Sequence, residues 1–387
     1  MASPALRALP LAVAATGLLG ASLLLRLPSA ANPSPGAAMP PLPPPVQASP
    51  GAPAVTVPAP PEPPLAPGPP AAPGPSAAPG PSAAPGAPLA PGPSAAPAAG
   101  PPLPTRAGLP TAPDGRHYPL VPAEPAATAS LLAQVEEALR SQATPAAELP
   151  ALGHQQQVIY RVLAFQPEQA ARVRAALPER WRPVFDRHIR ARREFIAMHD
   201  PRRRPANLPA WRIIPPEPAA NLLRYYREAA AATGIPWEVL AAVNLVESGM
   251  GRIDGVSVAD AHGPMQFLPS TWAEPGIGNG GNIRDPRTAI NAAARYLVRR
   301  GGLKDIRKGL WGYNNSDHYG QAVLEYAALL KEDPRSYTGF YHWEIHFSSA
   351  AGDLWLPVGY LEARPLPART WLQTMPVGAP PPGSSGY

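Results

Sequence analysis

Apolar residues recur every three or four positions along two stretches of the chain, which is the spacing of amphipathic helices. Residues 128–200 contain the segments SLLAQVEEALRSQ, QQQVIYRVLAF and WRPVFDRHIRARREFIAMH. Residues 216–334 contain AANLLRYYREAAAATG, PWEVLAAVNLVES, TAINAAARYLVRRGG and SDHYGQAVLEYAALLK. The pattern predicts a mainly α-helical protein. We expect the first stretch to form a small helical segment that either packs on the second or holds the residues before it at a distance.

Boundary signals agree with this division. Gly234 follows the first helix of the second stretch, and Pro236 opens the next one. Ser316 and Asp317 can cap the last helix. A long glycine-rich region separates the second and third helices, and loops of that length are uncommon in compact domains unless they are functional.

Residues 335–387 show a different pattern. The segment YTGFYHWEIHFSSAAGDLWLPVGYL alternates aromatic and polar residues around AAGD. This alternation predicts a short C-terminal β-hairpin followed by a tail.

Composition changes the picture for the first third of the chain. The 387 residues include 61 prolines and 33 glycines. Residues 32–127 are dominated by repeats such as APGPSAAPGPSAAPGAP, which offer almost nothing to build a core, so they are predicted to form a long disordered Pro/Ala-rich linker. Residues 1–31 join an apolar run to LPSAAN and resemble a secretory signal cleaved after Ala31, although Arg26 also allows an uncleaved membrane anchor. Either interpretation predicts export to the cell envelope.

The formal net charge of +6 is due mainly to arginine, which is clustered in the segments RVRAALPERWRPVFDRHIRARREF and RRRP. Such a cluster can bind anionic cell-wall polymers, although the interleaved acidic residues favour a solvated helix face. Nucleic-acid binding would need stacking aromatics or a known motif, and the sequence has neither. The absence of cysteine excludes disulfides and thiolate metal sites, and GIGNGGNIRDP lacks the acidic ladder of a calcium loop. No metal or cofactor is expected.

Glu247 carries the most informative charge, because it stands at the end of the apolar helix VLAAVNLVES. The helix dipole favours cations at that end, and burial removes hydration, so both effects raise the pKa of a carboxyl group there. A carboxyl group that stays protonated near neutral pH is what a general acid needs to protonate a glycosidic oxygen. The plainer alternative is that Glu247 points to solvent where the helix ends.

The residues that follow favour the catalytic interpretation. After Glu247-Ser248 come the segment GPMQFLP at residues 263–269 and the pair Tyr313-Asn314, with helices between them. These three motifs in this order resemble the SLT-type lytic transglycosylases over about residues 220–332. The resemblance implies a lysozyme-like catalytic domain.

It also implies an activity. Enzymes of this family cut the β-1,4 bond between N-acetylmuramic acid and N-acetylglucosamine in peptidoglycan, leaving a 1,6-anhydromuramic end and consuming no water. A single glutamate, matched here by Glu247, acts first as acid and then as base. The substrate's own N-acetyl group is expected to assist, and no second catalytic carboxylate is required.

The resemblance further assigns the substrate-binding residues. Ser257 should contact the N-acetyl group, and Gln266 should contact the sugar or Glu247. Tyr313 should hydrogen-bond Glu247. Asn314 should bind substrate or hold the loop backbone, and Met265 should pack or line the sugar site.

Two departures from the family pattern concern the shape of the cleft. Leu268 replaces a methionine, and Gly312 replaces an alanine, that many relatives carry. Asp254 and Asp260 lie between Glu247 and Gln266, and we expect both to be loop residues. Either aspartate, facing Glu247 across a water, would instead make the protein a hydrolase, a muramidase of goose-lysozyme type.

Two non-enzymatic functions also stay open. One is an inert peptidoglycan-binding module, against which the presence of Glu247 argues. The other is a structural envelope protein whose proline-rich segment is the functional part.

Overall fold

The computed structural model describes residues 100–104, 111–199 and 204–374, all of which belong to one compact unit. The predicted signal or anchor and residues 32–99 of the predicted linker lie outside this part of the chain. Packed structure begins before the expected boundary at 128. Ala112 and Tyr118 are both buried, and Tyr118 contacts the ring of Trp355 at 5.8 Å between centroids.

Four helices form the N-terminal helical segment, and each has a proline in its first turn, where the missing N–H costs nothing. They are α1 (Pro125–Arg140), α2 (Leu149–Phe165), α3 (Pro167–Ala176) and α4 (Arg182–Ala197), with a 3₁₀ turn at Glu179–Trp181 before the last.

Eight further helices follow, and they confirm the mainly helical fold. They are α5 (Ala219–Thr233), α6 (Trp237–Ser248), α7 (Pro269–Trp272), α8 (Pro286–Arg299), α9 (Ile306–Asn314), α10 (Asp317–Glu332), α11 (Ser336–Tyr341) and α12 (Ala368–Thr374). Gly234 ends α5 with a φ of 81°, and the Ser316 hydroxyl caps α10, as the sequence indicated. Helix α6 is buried along its whole length after the first turn, so it forms the centre of the core.

Three small antiparallel sheets complete the fold. Their strands are β1 (Asn207–Leu208) with β6 (Leu366–Pro367), β2 (Trp211–Ile213) with β3 (Ile253–Gly255), and β4 (Ile345–Ser349) with β5 (Gly352–Leu356). The last pair is the predicted C-terminal hairpin, in the register Ile345 opposite Leu356.

The hairpin segment packs on the helical segment. The Gln157 side chain on α2 exchanges two hydrogen bonds with the backbone of Glu344, at 2.8 and 2.9 Å. Arg161, also on α2, forms a buried ion pair with Asp353 on β5. These contacts join parts of the chain about 190 residues apart.

Helix α4 joins the helical segment to the helices that follow it. Ala191 and Phe195 on α4 belong to the same hydrophobic core as α6 and α10, and Phe195 stacks against Tyr326. The first of the two expected arrangements is therefore the one observed. No helix in the described ranges combines the length and apolar character needed to cross a membrane.

Candidate active site

Helix α6 carries Glu247 into the interior, where only 2% of the residue is exposed. The helix ends one residue later, because Gly249 adopts the left-handed conformation with a φ of 62°. Burial raises the pKa of Glu247 to about 8, and a hydrogen bond from Tyr319 opposes this rise. The carboxyl group is therefore protonated at neutral pH, as expected of a general acid. The solvent-facing alternative is excluded.

Tyr319 is the tyrosine that contacts the acid. Its hydroxyl donates to Oε1 of Glu247 at 2.7 Å. The expected hydrogen bond from Tyr313 is wrong, because the Tyr313 hydroxyl donates instead to the backbone oxygen of Met265 at 2.8 Å. The rings of Tyr313 and Tyr319 are parallel and stacked, with centroids 6.3 Å apart, so Tyr313 helps to position Tyr319.

Sequence reasoning missed Tyr319 because its position depends on a tight turn. Asn315 adopts a φ of 51° and ends α9, and Ser316 then caps α10. The change of direction brings the first turn of α10 over the end of α6. The only sequence signal was a tyrosine in the first turn of a helix with a recognisable cap.

The loop that carries the GPMQF motif is tied to α6 by polar side chains. Ser248 donates its hydroxyl hydrogen to the carbonyl oxygen of Pro264, and Asn244 donates to the same oxygen at 2.7 Å. The Tyr226 hydroxyl donates to Oδ1 of Asn244 at 2.6 Å. Ser248 and Asn244 therefore fix the loop relative to Glu247, a role the sequence did not reveal.

Ser257 and Gln266 lie in the loop region that follows β3, and both are buried. The Ser257 oxygen accepts hydrogen bonds from the backbone N–H groups of Ala259 and Ala261, at 3.2 and 3.0 Å, which leaves its own hydrogen available. Gln266 has a φ of 48°, and its side-chain amide donates to the carbonyl of Gly263 at 2.8 Å.

Met265 and Asn314 have different environments. Met265 is fully buried in the core, so its side chain packs and does not line a sugar surface. Asn314, the last residue of α9, is 3% exposed, and its side-chain nitrogen has no hydrogen-bond partner among the described residues. This amide is a buried donor close in sequence to both tyrosines.

Neither Asp254 nor Asp260 faces Glu247. Asp254 lies on β3, and its carboxylate forms ion pairs with Arg212 on β2 and with Arg284. Its placement in a loop was therefore wrong. Asp260 is 71% exposed at its side chain and contacts His262 at 2.9 Å. Neither carboxylate hydrogen-bonds to Glu247, whose recorded partner is Tyr319.

No group of three His, Asp or Glu side chains that could hold a metal ion occurs in the ranges that the structure covers. Residues 276–285 form turns, and the indole N–H of Trp272 donates there to the carbonyl of Gly281 at 3.1 Å.

Comparison with known protein families agrees with the site. Residues 224–327 match the family described as the transglycosylase SLT domain, and these bounds enclose Glu247, the GPMQF loop and Tyr319. This segment is similar to the transglycosylase SLT domain. The match confirms the resemblance found from the motifs over about a quarter of the 387 residues. Comparison with curated proteins gave no match, and neither did comparison with solved structures. An SLT domain implies peptidoglycan as the substrate and a location in the cell envelope.

Proposed function

We propose that the protein is a peptidoglycan lytic transglycosylase in which Glu247 acts alone as acid and base. The observation that carries the proposal is a buried, protonated carboxyl group, held by Tyr319 within an SLT domain. The substrate is the β-1,4 bond between N-acetylmuramic acid and N-acetylglucosamine.

In the first step the carboxyl proton of Glu247 passes to the glycosidic oxygen while the bond from that oxygen to the anomeric carbon breaks. Burial supports this step because it keeps the proton on Glu247 at neutral pH. The N-acetyl group of the muramic residue assists at the anomeric carbon, and the hydroxyl hydrogen of Ser257 is the donor that orients it.

In the second step the C6 hydroxyl of the same residue attacks the anomeric carbon, and its proton returns to Glu247. This closes the anhydro ring and restores the acid, so no water enters the balance. The Tyr319 hydrogen bond stabilises the carboxylate between the steps, since it favours the charged form.

The remaining roles follow the contacts. Gln266 and the unpartnered amide of Asn314 supply polar groups for the saccharide. Tyr313 and Met265 position the site and do not bind sugar directly, because the Tyr313 hydroxyl donates its hydrogen bond to the backbone oxygen of Met265. Export through the N-terminal segment would deliver the enzyme to its substrate.

The test is release of soluble muropeptides from purified sacculi. Glu247→Gln should lower the rate by at least ~10²-fold, because an amide cannot donate and then accept the proton. Asp254→Asn serves as the control, and it should keep activity within a few fold because that carboxylate is engaged by two arginines. Near-native turnover by Glu247→Gln would remove the proposal, and an inactive wild type would favour an inert binding module.

A further inference from the structure

The arginines of the helical segment are largely neutralised by neighbouring carboxylates. Arg187 pairs with Glu325 and Glu332, and Arg190 also pairs with Glu325. These ion pairs hold α4 against α10. The helical segment therefore uses much of its positive charge in internal ion pairs.

A different surface carries three cations that form no ion pair among the described residues, beside Arg299, which pairs with Glu274. Residues 299–311, the end of α8 with the following turn and most of α9, contain five cationic residues and one acidic residue. We call this surface the basic corner. Lys304, Arg307 and Lys308 are exposed, and none forms an ion pair within the described part of the chain. The single acid, Asp305, is occupied as the cap of α9.

Two large apolar side chains stand among these cations. Leu303 is 56% exposed and Trp311 is 50% exposed. Arg307 and Lys308 lie four and three residues before Trp311 on α9, so they flank it on the helix surface.

The turn that carries Leu303 packs directly against α9, which carries Trp311. A Cβ atom at Gly309 would lie only 2.7 Å from the Cα of Gly302, which means that the turn and the helix are in direct contact there. Leu303 follows Gly302 immediately. The basic corner therefore presents two exposed apolar side chains among exposed basic side chains.

We propose that the basic corner docks on an anionic lipid membrane. Exposed apolar side chains ringed by Lys and Arg match the acyl boundary and the charged headgroups of such a surface. A soluble polyanion would account for the cations alone, since Leu303 and Trp311 gain free energy only by leaving water. Docking would hold the SLT domain beside the membrane while its cleft acts on the wall.

The experiment measures amide hydrogen exchange in peptides covering residues 299–311 of the full chain. The protein is mixed with phosphatidylglycerol vesicles or with phosphatidylcholine vesicles. A local readout is needed because an N-terminal anchor would attach the chain to both kinds of vesicle. We expect slower exchange with phosphatidylglycerol only, and we expect high salt to reverse it.

Variants separate charge from apolar contact. In the double variant Lys304→Glu, Lys308→Glu, the concentration of phosphatidylglycerol needed for the same protection should rise by at least ~10-fold. In Leu303→Ser, the concentration of phosphatidylglycerol needed for the same protection should rise by about threefold or more. Arg172→Glu with Lys331→Glu makes the same charge change at two exposed residues elsewhere and should have no effect.

Three results would overturn the proposal. They are equal protection by both lipids, no protection by either, or full protection of Leu303→Ser together with equal protection by soluble polyphosphate. The last would indicate a polymer-binding surface. All variants should keep wild-type activity on soluble glycan fragments, which separates this test from that of the proposed function.

Discussion

At the scale of single residues, the proposed role of Glu247 as the acid predicts a pH dependence of activity. The acid must be protonated, so the rate should fall as pH rises through about 8. Tyr319→Phe removes the hydrogen bond that lowers this pKa, and the alkaline limb of kcat/KM should move to higher pH.

Tyr313→Phe is the matched control for this shift. Its hydroxyl bonds to the backbone of Met265, so the alkaline limb should stay in place even if the rate falls through a displaced loop. If the alkaline limb moved in Tyr313→Phe and stayed in place in Tyr319→Phe, Tyr313 would be the tyrosine that hydrogen-bonds Glu247, as the motif indicated.

The same burial lowers the free energy of unfolding at pH values above the ordinary pKa of Glu247. Below about pH 4.5 the carboxyl is protonated in both the folded and the unfolded chain, so it contributes nothing. Between about 4.5 and 8 only the unfolded chain ionises, and stability falls as pH rises. At pH 7 the cost is about 3 kcal/mol.

Glu247→Gln should therefore unfold at a higher temperature than wild type at pH 7. The difference should shrink towards zero near pH 4.5, and thermal melts across this range measure it. A variant that is less stable than wild type at pH 7 would show that the carboxyl is ionised in the folded protein.

At the scale of elements, α4 is part of the hydrophobic core that contains α6 and α10. Phe195→Ala should destabilise the protein by about 3–5 kcal/mol, because it leaves a cavity beside Tyr326. Arg190→Ala, on the exposed side of the same helix, should cost at most ~1 kcal/mol.

Denaturant unfolding followed by fluorescence and by activity checks this cooperativity. Both signals should move together in Phe195→Ala. In the contrary case, Phe195→Ala would lose activity at the same denaturant concentration as wild type, and only part of its fluorescence change would shift to a lower concentration. Helix α4 would then belong to a separately folding domain.

Local patterns predicted the elements well but not the contacts between them. The apolar run before Glu247 and the capping residue Ser316 are local signals, and both were interpreted correctly. Asp254 was placed in a loop because its strand is three residues long and pairs with β2, some 40 residues earlier. The Tyr319 contact spans 72 residues and depends on a turn whose direction no periodicity encodes.

At the scale of the whole molecule, the packed structure reaches further towards the N-terminus than composition indicated. Tyr118 contacts Trp355, and the backbone N–H of Gly100 donates to Glu148 at 2.6 Å. Proline content alone could not separate these residues from the repeats before them.

Deletion of residues 32–99 should therefore leave the melting temperature and the activity on soluble glycan fragments unchanged, because the repeats supply no core. Deletion of residues 32–124 should lower the melting temperature, since it removes the buried Tyr118. Equal stability of the two truncated proteins would show that the segment before α1 adds nothing to the fold.

The most direct test of the central claim is the mass of the products that wild-type protein releases from peptidoglycan. If Glu247 works alone, the C6 hydroxyl is the nucleophile, and mass spectrometry will find muramic ends one water lighter than hydrolytic ends. Predominantly reducing ends would contradict this account, because they require water as the nucleophile in place of the C6 hydroxyl.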